Sequence, residues 1–308
     1  MAKILLLTID ENAYYFNKVD PDKIEIAPVF SKHAMLSAFL EKTVRKLGRK
    51  ESRFFYGSWY KRLSEFTKII VFDAAWCLDS RLLENITKKN PQAERYIYSW
   101  NISKNEEKTL RDRQTASLNG FQYYCYDRKE CQKFHFHFNT IMYEPDLKLP
   151  VQPEQFDLLF LGFVKDRKEK MVQIYDKFVQ AGLCPKFVAI DKTGDLKQVP
   201  FDVVSNYVNY YDYLNLVSQS KCILDIAQEG QDGYSMRVME ALFFDKKLIT
   251  TNSHIKDASF YNENNILIIE SESFSVKEVE AFYKKELIPY PASEKKYYSI
   301  YVWADRFN

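Results

Sequence analysis

Two kinds of hydrophobic run alternate along this chain. "KILLLTI" near the start is apolar almost without a break, the pattern of a strand buried on both faces, and "KIIVFDAAW", "ERYIYSWN" and "FQYYCYD" continue the series. Between the first two, "MLSAFLEKTVRKL" spaces Leu36, Phe39, Leu40, Val44 and Leu47 as one face of a helix. "EPDLKLPVQPEQF", with Pro145, Pro150 and Pro153 and little periodicity, reads as a linker. The rhythm then restarts. "FDLLFLGF" predicts a strand, and "DRKEKMVQIYDKFVQAGL" a helix with Met171, Ile174, Tyr175, Phe178 and Val179 on one face and Gly182 as its stop. "PKFVAI", "YDYLNLVSQS" and "KCILDI" predict strand, helix and strand. The next stretch, "DGYSMRVMEALFFDKKLITTN" (232–252), reads as turn, short helix, charged turn and strand. No internal repeat or low-complexity segment interrupts the pattern.

Strands alternating with helices on both sides of a Pro-rich linker predict an α/β protein with two Rossmann-like domains facing across a cleft. The expected division is an N-terminal domain over 1–150, a second domain over 151–290, and a segment over 291–308 that packs back on the first. Length agrees, because 308 residues exceed one ordinary core. A net charge of +2 gives no global field for nucleic acid, which is not an expected partner. No run approaches the roughly 18 apolar residues of a membrane span. The N-terminal apolar run is too short for a signal-peptide core and reads as the first strand. Five cysteines, odd in number and scattered, read as reduced thiols of a cytoplasmic protein.

The helix within 232–252 carries an unusual pair. Ser235 is the N-cap after Gly233, and Val238, Met239, Leu242 and Phe243 form the packing face. Arg237, Glu240 and Phe244 share another face. A helix N-terminus favours an anion, an Arg there strengthens it, and a carboxylate one turn in can accept hydrogen bonds from a diol. Together these suit the diphosphate and ribose of a nucleotide. The competing reading is an i,i+3 ion pair on a solvated face.

"GYSMRVMEALFFDKKLITTN" resembles the nucleotide-binding helix of bacterial sugar-nucleotide glycosyltransferases of the two-Rossmann GT-B fold. It is most similar to the spore-maturation (CgeB-like) and lipopolysaccharide core or capsule biosynthesis groups. "FDLLFLGFVKDRKEKMVQIYDKFVQAGL" and "YDYLNLVSQSKCILDIAQEG" extend the resemblance over roughly 155–252. It implies a donor site in which Glu240 binds ribose, Arg237 lies on the phosphate side, and Lys165 and Arg167 form a basic loop at the diphosphate. Gly233, Tyr234 and Ser235 complete the set. Eight positions before Glu240, where many such enzymes have a second Glu, stands Asp232, and no role carries over to it.

The remaining chemistry is sparser. His135 and His137 in "KFHFHFN" would share a face if that segment were a strand, but no third ligand has metal spacing, so no metal site is assigned. There is no Gly-x-Gly-x-x-Gly or P-loop, and no cofactor is expected. A transferase also needs a base for the acceptor hydroxyl. Asp73 and Asp10, each ending a strand, are the candidates, Asp73 preferred because Trp76 nearby could stack on a sugar; either could instead cap the next helix or turn. The segment 41–63, with eight Lys or Arg, two Glu and the aromatics Phe54, Phe55, Tyr56, Trp59 and Tyr60, reads as a peripheral contact with an anionic membrane surface or as a solvated helix face plus core aromatics. The expected function is metal-independent transfer of a sugar from a nucleotide diphosphate sugar to a glycan or lipid-linked acceptor of the bacterial surface. The alternative is a non-catalytic relic of the fold that binds nucleotide sugar or glycan as a partner subunit.

Overall fold

The computed structural model describes residues 3–10, 16–31, 52–77, 81–164, 167–228, 230–270 and 274–308. The helix expected over 35–47 lies outside them. The chain forms two compact units, Met1–Asp146 with Ile300–Asn308, and Leu147–Ser299.

In the first unit the strands are β1 (Ile4–Thr8), β2 (Ile24–Pro28), β3 (Lys68–Phe72), β4 (Glu94–Ser99), β5 (Gln122–Cys125) and β6 (His137–Phe138). They form one sheet in the order β2-β1-β3-β4-β5-β6. Every pairing is parallel, with Leu6 of β1 opposite Ile26 of β2 and Ile70 of β3. The helices between them are α1 (Asp73–Trp76), α2 (Leu82–Lys89), α3 (Glu106–Leu118) and α4 (Arg128–Phe134). β1 is buried from end to end, as a strand covered on both faces must be.

The second unit repeats the plan. Its strands are β7 (Phe156–Phe163), β8 (Pro185–Ile190), β9 (Asp202–Val204), β10 (Ser220–Asp225), β11 (Lys247–Thr250) and β12 (Ile266–Ile268), and its helices α5 (Lys168–Gln180), α6 (Tyr210–Ser218), α7 (Met236–Phe243), α8 (Val276–Lys284) and α9 (Ala292–Tyr298). The sheet is again parallel, in the order β12-β11-β10-β7-β8-β9. α5 buries Met171, Ile174 and Phe178 but leaves Val179 half exposed, so its packing face is narrower than the spacing suggested. Gly182 ends it with φ 71°, where Leu183 N–H bonds back to Phe178.

Helix α10 (Ile300–Asp305) and the last residues pack into the first unit. Trp303 is fully buried edge-on against Tyr98, with ring centroids 4.9 Å apart. Phe307 lies 4.8 Å from the Tyr124 ring. Lys68 Nζ donates to the Phe307 carbonyl at 2.8 Å, and Ile300 N–H to the Tyr143 carbonyl at 2.9 Å. Among the described residues no helix is long and apolar enough to cross a membrane.

Candidate functional site

The second sheet, read β9-β8-β7-β10-β11-β12, runs outward in both directions from β7 and β10. In open parallel sheets the crevice outside the carboxyl ends, at such a switch point, is where ligands bind. The residues after β10 and at the end of β7 occupy this position, and α7 rises from it.

α7 starts as the sequence predicts. Ser235 is extended (φ −84°, ψ 169°) and its Oγ accepts from Arg237 N–H at 3.2 Å. The same hydroxyl donates to Asp225 Oδ1 at 2.7 Å, and Thr250 Oγ1 donates to Asp225 Oδ2 at 2.9 Å. The buried carboxylate ending β10 therefore locks the cap of α7 to the end of β11. Val238, Met239 and Leu242 are buried as expected, and Phe243 is half-buried. Gly233 is buried, and its carbonyl accepts from Gln231 Nε2 at 2.9 Å and Asn252 Nδ2 at 3.4 Å. Tyr234 packs edge-on against Phe260, with centroids 5.6 Å apart.

Arg237 and Glu240 do not pair with each other. Arg237 Nη2 donates to the Leu161 carbonyl of β7 at 2.6 Å, and the guanidinium lies 4.8 Å from the Phe160 ring. Its Nε is buried without a hydrogen-bond partner. Gly162 makes this reach feasible, because a Cβ there would stand 2.2 Å from Arg237 Nη2. Glu240 is only 2% exposed, so the solvated-face reading does not describe it. Its Oε2 accepts from Tyr213 OH, and its Oε1 takes a long contact of 3.4 Å from Tyr210 OH. Burial pushes its carboxyl up to about 7, against the lowering effect of Tyr213 and Arg237.

Arg167 is buried and used by backbone. Its Nη2 donates to the Phe163 carbonyl at 2.6 Å, its Nη1 to the Ile226 carbonyl, and its Nε to Val164 at 3.4 Å. It ties the loop after β7 to the end of β10. Lys165 lies outside the described residues.

Asp232 and His254 come together here: His254 Nε2 is 3.0 Å from Asp232 Oδ1. Asn252 holds the two turns, donating to the Asp232 carbonyl at 3.2 Å and accepting His254 N–H at 3.0 Å.

In the first unit the order β2-β1-β3 puts the switch point between β1 and β3, and Asp10 and Asp73 follow those strands. Asp10 is exposed. Asp73 opens α1, where its Oδ1 accepts from Ala74 N–H at 2.7 Å and its Oδ2 from Ser99 Oγ at 2.8 Å. Burial raises its carboxyl above the ordinary aspartate range, opposed by the Ser99 and Ala74 hydrogen bonds. Trp76 is 4% exposed and belongs to the core, so the sugar-stacking role expected of it is excluded. His135 ends α4 with φ 54°, and only His137 enters β6, so the two histidines do not share a strand. Among the described residues no group of three or more His, Cys, Asp or Glu is placed to hold a metal. Of the 41–63 segment, residues 41–51 lie outside the described set. Within the rest, Trp59 and Tyr56 are core residues, and Arg62 pairs with Glu25.

No protein-family model matches the chain, and no curated protein matches its sequence. Solved structures do match. AviGT4, a glycosyltransferase involved in avilamycin A biosynthesis, aligns over 100% of this chain and 96% of its own, with 12% identity and a TM-score of 0.54. An alpha-glucosyltransferase solved with UDP-glucose and DNA containing an abasic site aligns over 99% and 92%, with 11% identity and a TM-score of 0.57. The likeness is one of fold. With two six-stranded parallel sheets in one chain, it gives the two-Rossmann-like α/β class of the GT-B glycosyltransferases.

Proposed function

We propose that the protein is a glycosyltransferase that takes a sugar from a nucleotide diphosphate sugar bound by its second unit. The observation that carries this reading is the switch-point arrangement of α7: a capped helix N-terminus, Arg237 turned onto β7, and the buried Glu240 carboxylate one turn in. The diphosphate docks at the N-terminus of α7 and on Arg237, where backbone N–H groups and the helix dipole favour an anion. Ribose hydroxyls bond to Glu240 Oε1, whose present contact is the long one from Tyr210. Gly233, Tyr234 and Ser235 shape the turn into the helix, and Arg167 ties Phe163 and Val164 to Ile226. Arg237, Lys165 and the helix N-terminus neutralise the leaving diphosphate electrostatically, so transfer runs without a metal. Asp73 or Asp10 in the first unit takes the proton of the acceptor hydroxyl. Likeness of fold to a glucosyltransferase solved with UDP-glucose supports a nucleotide-sugar donor.

The sequence resemblance to spore-maturation and lipopolysaccharide or capsule enzymes favours a bacterial surface glycan as acceptor and a cytoplasmic site of action. A membrane contact through 41–63 belongs to the same proposal. With Tyr56 and Trp59 buried, these two rings are not available to it, and flotation with anionic against neutral vesicles tests it. The test of the function is turnover of a panel of UDP-, GDP-, ADP- and TDP-sugars, with and without glycan acceptors. Slow hydrolysis of one donor, accelerated by an acceptor, is the expected result. Donor binding without turnover across all acceptors would instead identify the non-catalytic relic.

A further inference from the structure

We infer that His254, held by Asp232, is a phosphate-contacting residue of the donor site, an inference that rests on the reading of α7 as that site. The two residues are far apart in sequence, and the fold joins them at 3.0 Å. Asp232 lies in the turn that leads into α7, and His254 opens the short turn after β11. Asn252 fastens one turn to the other through the Asp232 and Gly233 carbonyls. The pair therefore stands beside the N-terminus of α7, on the phosphate side; Glu240, one turn into the helix, marks the ribose side.

The chemistry of the pair fits an anion. With Nε2–H donated to the carboxylate, Nδ1 is the ring nitrogen left for a ligand, on a side chain that is 48% exposed. In the doubly protonated ring Nε2–H serves the Asp232 carboxylate and Nδ1–H is the remaining donor, the one a phosphate oxygen can accept from. Asp232 alone would repel a diphosphate at this helix end. Paired with an imidazolium it does not, and the dyad presents a charge-assisted N–H donor.

Calorimetric titration of the full chain with uridine 5′-diphosphate, guanosine 5′-diphosphate and the corresponding nucleosides tests this, on the parent, His254→Ala, His254→Gln and the double variant Asp232→Asn/His254→Ala. The expected result is a loss of about 10- to 100-fold in diphosphate affinity in His254→Ala, with nucleoside affinity unchanged. His254→Gln keeps a neutral N–H donor and should recover part of the loss. Asp232→Asn combined with His254→Ala should lose little more than His254→Ala alone, because the aspartate acts through the ring. If His254 serves only to tie the two turns, both ligand classes weaken together with the melting temperature, which overturns the inference. Equal diphosphate affinity in the parent and His254→Ala overturns it too, while leaving the donor site standing. Absence of diphosphate binding in the parent removes the donor-site reading itself.

Discussion

Gly162→Ala perturbs the proposed donor site without removing any group that could touch a ligand. The added Cβ would lie 2.2 Å from Arg237 Nη2, far inside the 3.4–4 Å of ordinary contact, whereas the next neighbours stand at 3.5 Å or beyond. The backbone is therefore accommodated, and the mobile end of Arg237 must give way. Moving it breaks the 2.6 Å bond to Leu161 and takes the guanidinium off the Phe160 ring. A charge-assisted hydrogen bond to a diphosphate contributes ~1.5–3 kcal/mol, so affinity should fall roughly 10- to 150-fold if Arg237 can no longer meet the phosphates. The fold should lose no more than about 1–2 kcal/mol, since one side-chain hydrogen bond to a strand carbonyl is disturbed. Calorimetry with uridine 5′-diphosphate and thermal melts of the parent, Gly162→Ala and Arg237→Ala separate the two effects. The two variants should weaken to a similar degree. Parent-like affinity in Gly162→Ala would show that the placement of Arg237 against β7 does not matter to the ligand.

Other outcomes follow from the same geometry. Glu240 titrates near 7, so its carboxylate form grows from pH 6 to pH 8; the preference for ribose over 2′-deoxyribose nucleotides should rise across that range in the parent and stay flat in Glu240→Gln. Asp73→Asn should reduce turnover by about 10²–10⁴ if it is the base, and Asp10→Asn should do so if that role falls there; near-normal rates in both would place the base elsewhere. Glu144 is fully buried, with Oε2 lacking a hydrogen-bond partner among the described residues, and burial pushes its carboxyl up to about 7. A folded-state value above the unfolded one gives stability that is full below about pH 4.3 and is lost as pH rises through 7, on the order of 3 kcal/mol. Melts of Glu144→Gln should therefore show a smaller decline from pH 5 to pH 8 than the parent, and superimposable profiles would refute this.

The strands that the sequence made legible are the central ones. "KILLLTI", "KIIVF", "FDLLFLGF" and "KCILDI" are mostly buried, and each carries an apolar run long enough to read as a strand. β2, β6, β9 and β12 escaped it, and these are the edges of the two sheets. An edge strand is short and partly exposed, so "DVV" or "HF" carries neither a long run nor a clear alternation. The site divides in a similar way. Ser235, Arg237 and Glu240 could be placed on one helix from spacing alone, because i,i+3 geometry is local. Their partners could not. Gly162 meets Arg237 from the strand β7, Tyr213 meets Glu240 from another helix, and His254 meets Asp232 across the sheet's carboxyl edge. Asp225 did carry a signal, since it closes the run "KCILD" as Asp73 closes "KIIVFD". Trp76 misled for the opposite reason: proximity in sequence to Asp73 says nothing of whether the ring faces water.

The central claim is that the N-terminus of α7, Arg237 and Glu240 bind a nucleoside diphosphate. Its most direct test is one calorimetric series: the parent, Arg237→Ala and Glu240→Gln, each titrated with nucleoside diphosphate, its 2′-deoxy form and the bare nucleoside. Arg237→Ala should weaken the diphosphate roughly 10- to 150-fold and the nucleoside little, while Glu240→Gln should chiefly narrow the gap between ribose and deoxyribose forms. Affinities unchanged by either substitution, for all three ligands, would contradict the account and leave an α/β fold whose ligand lies elsewhere.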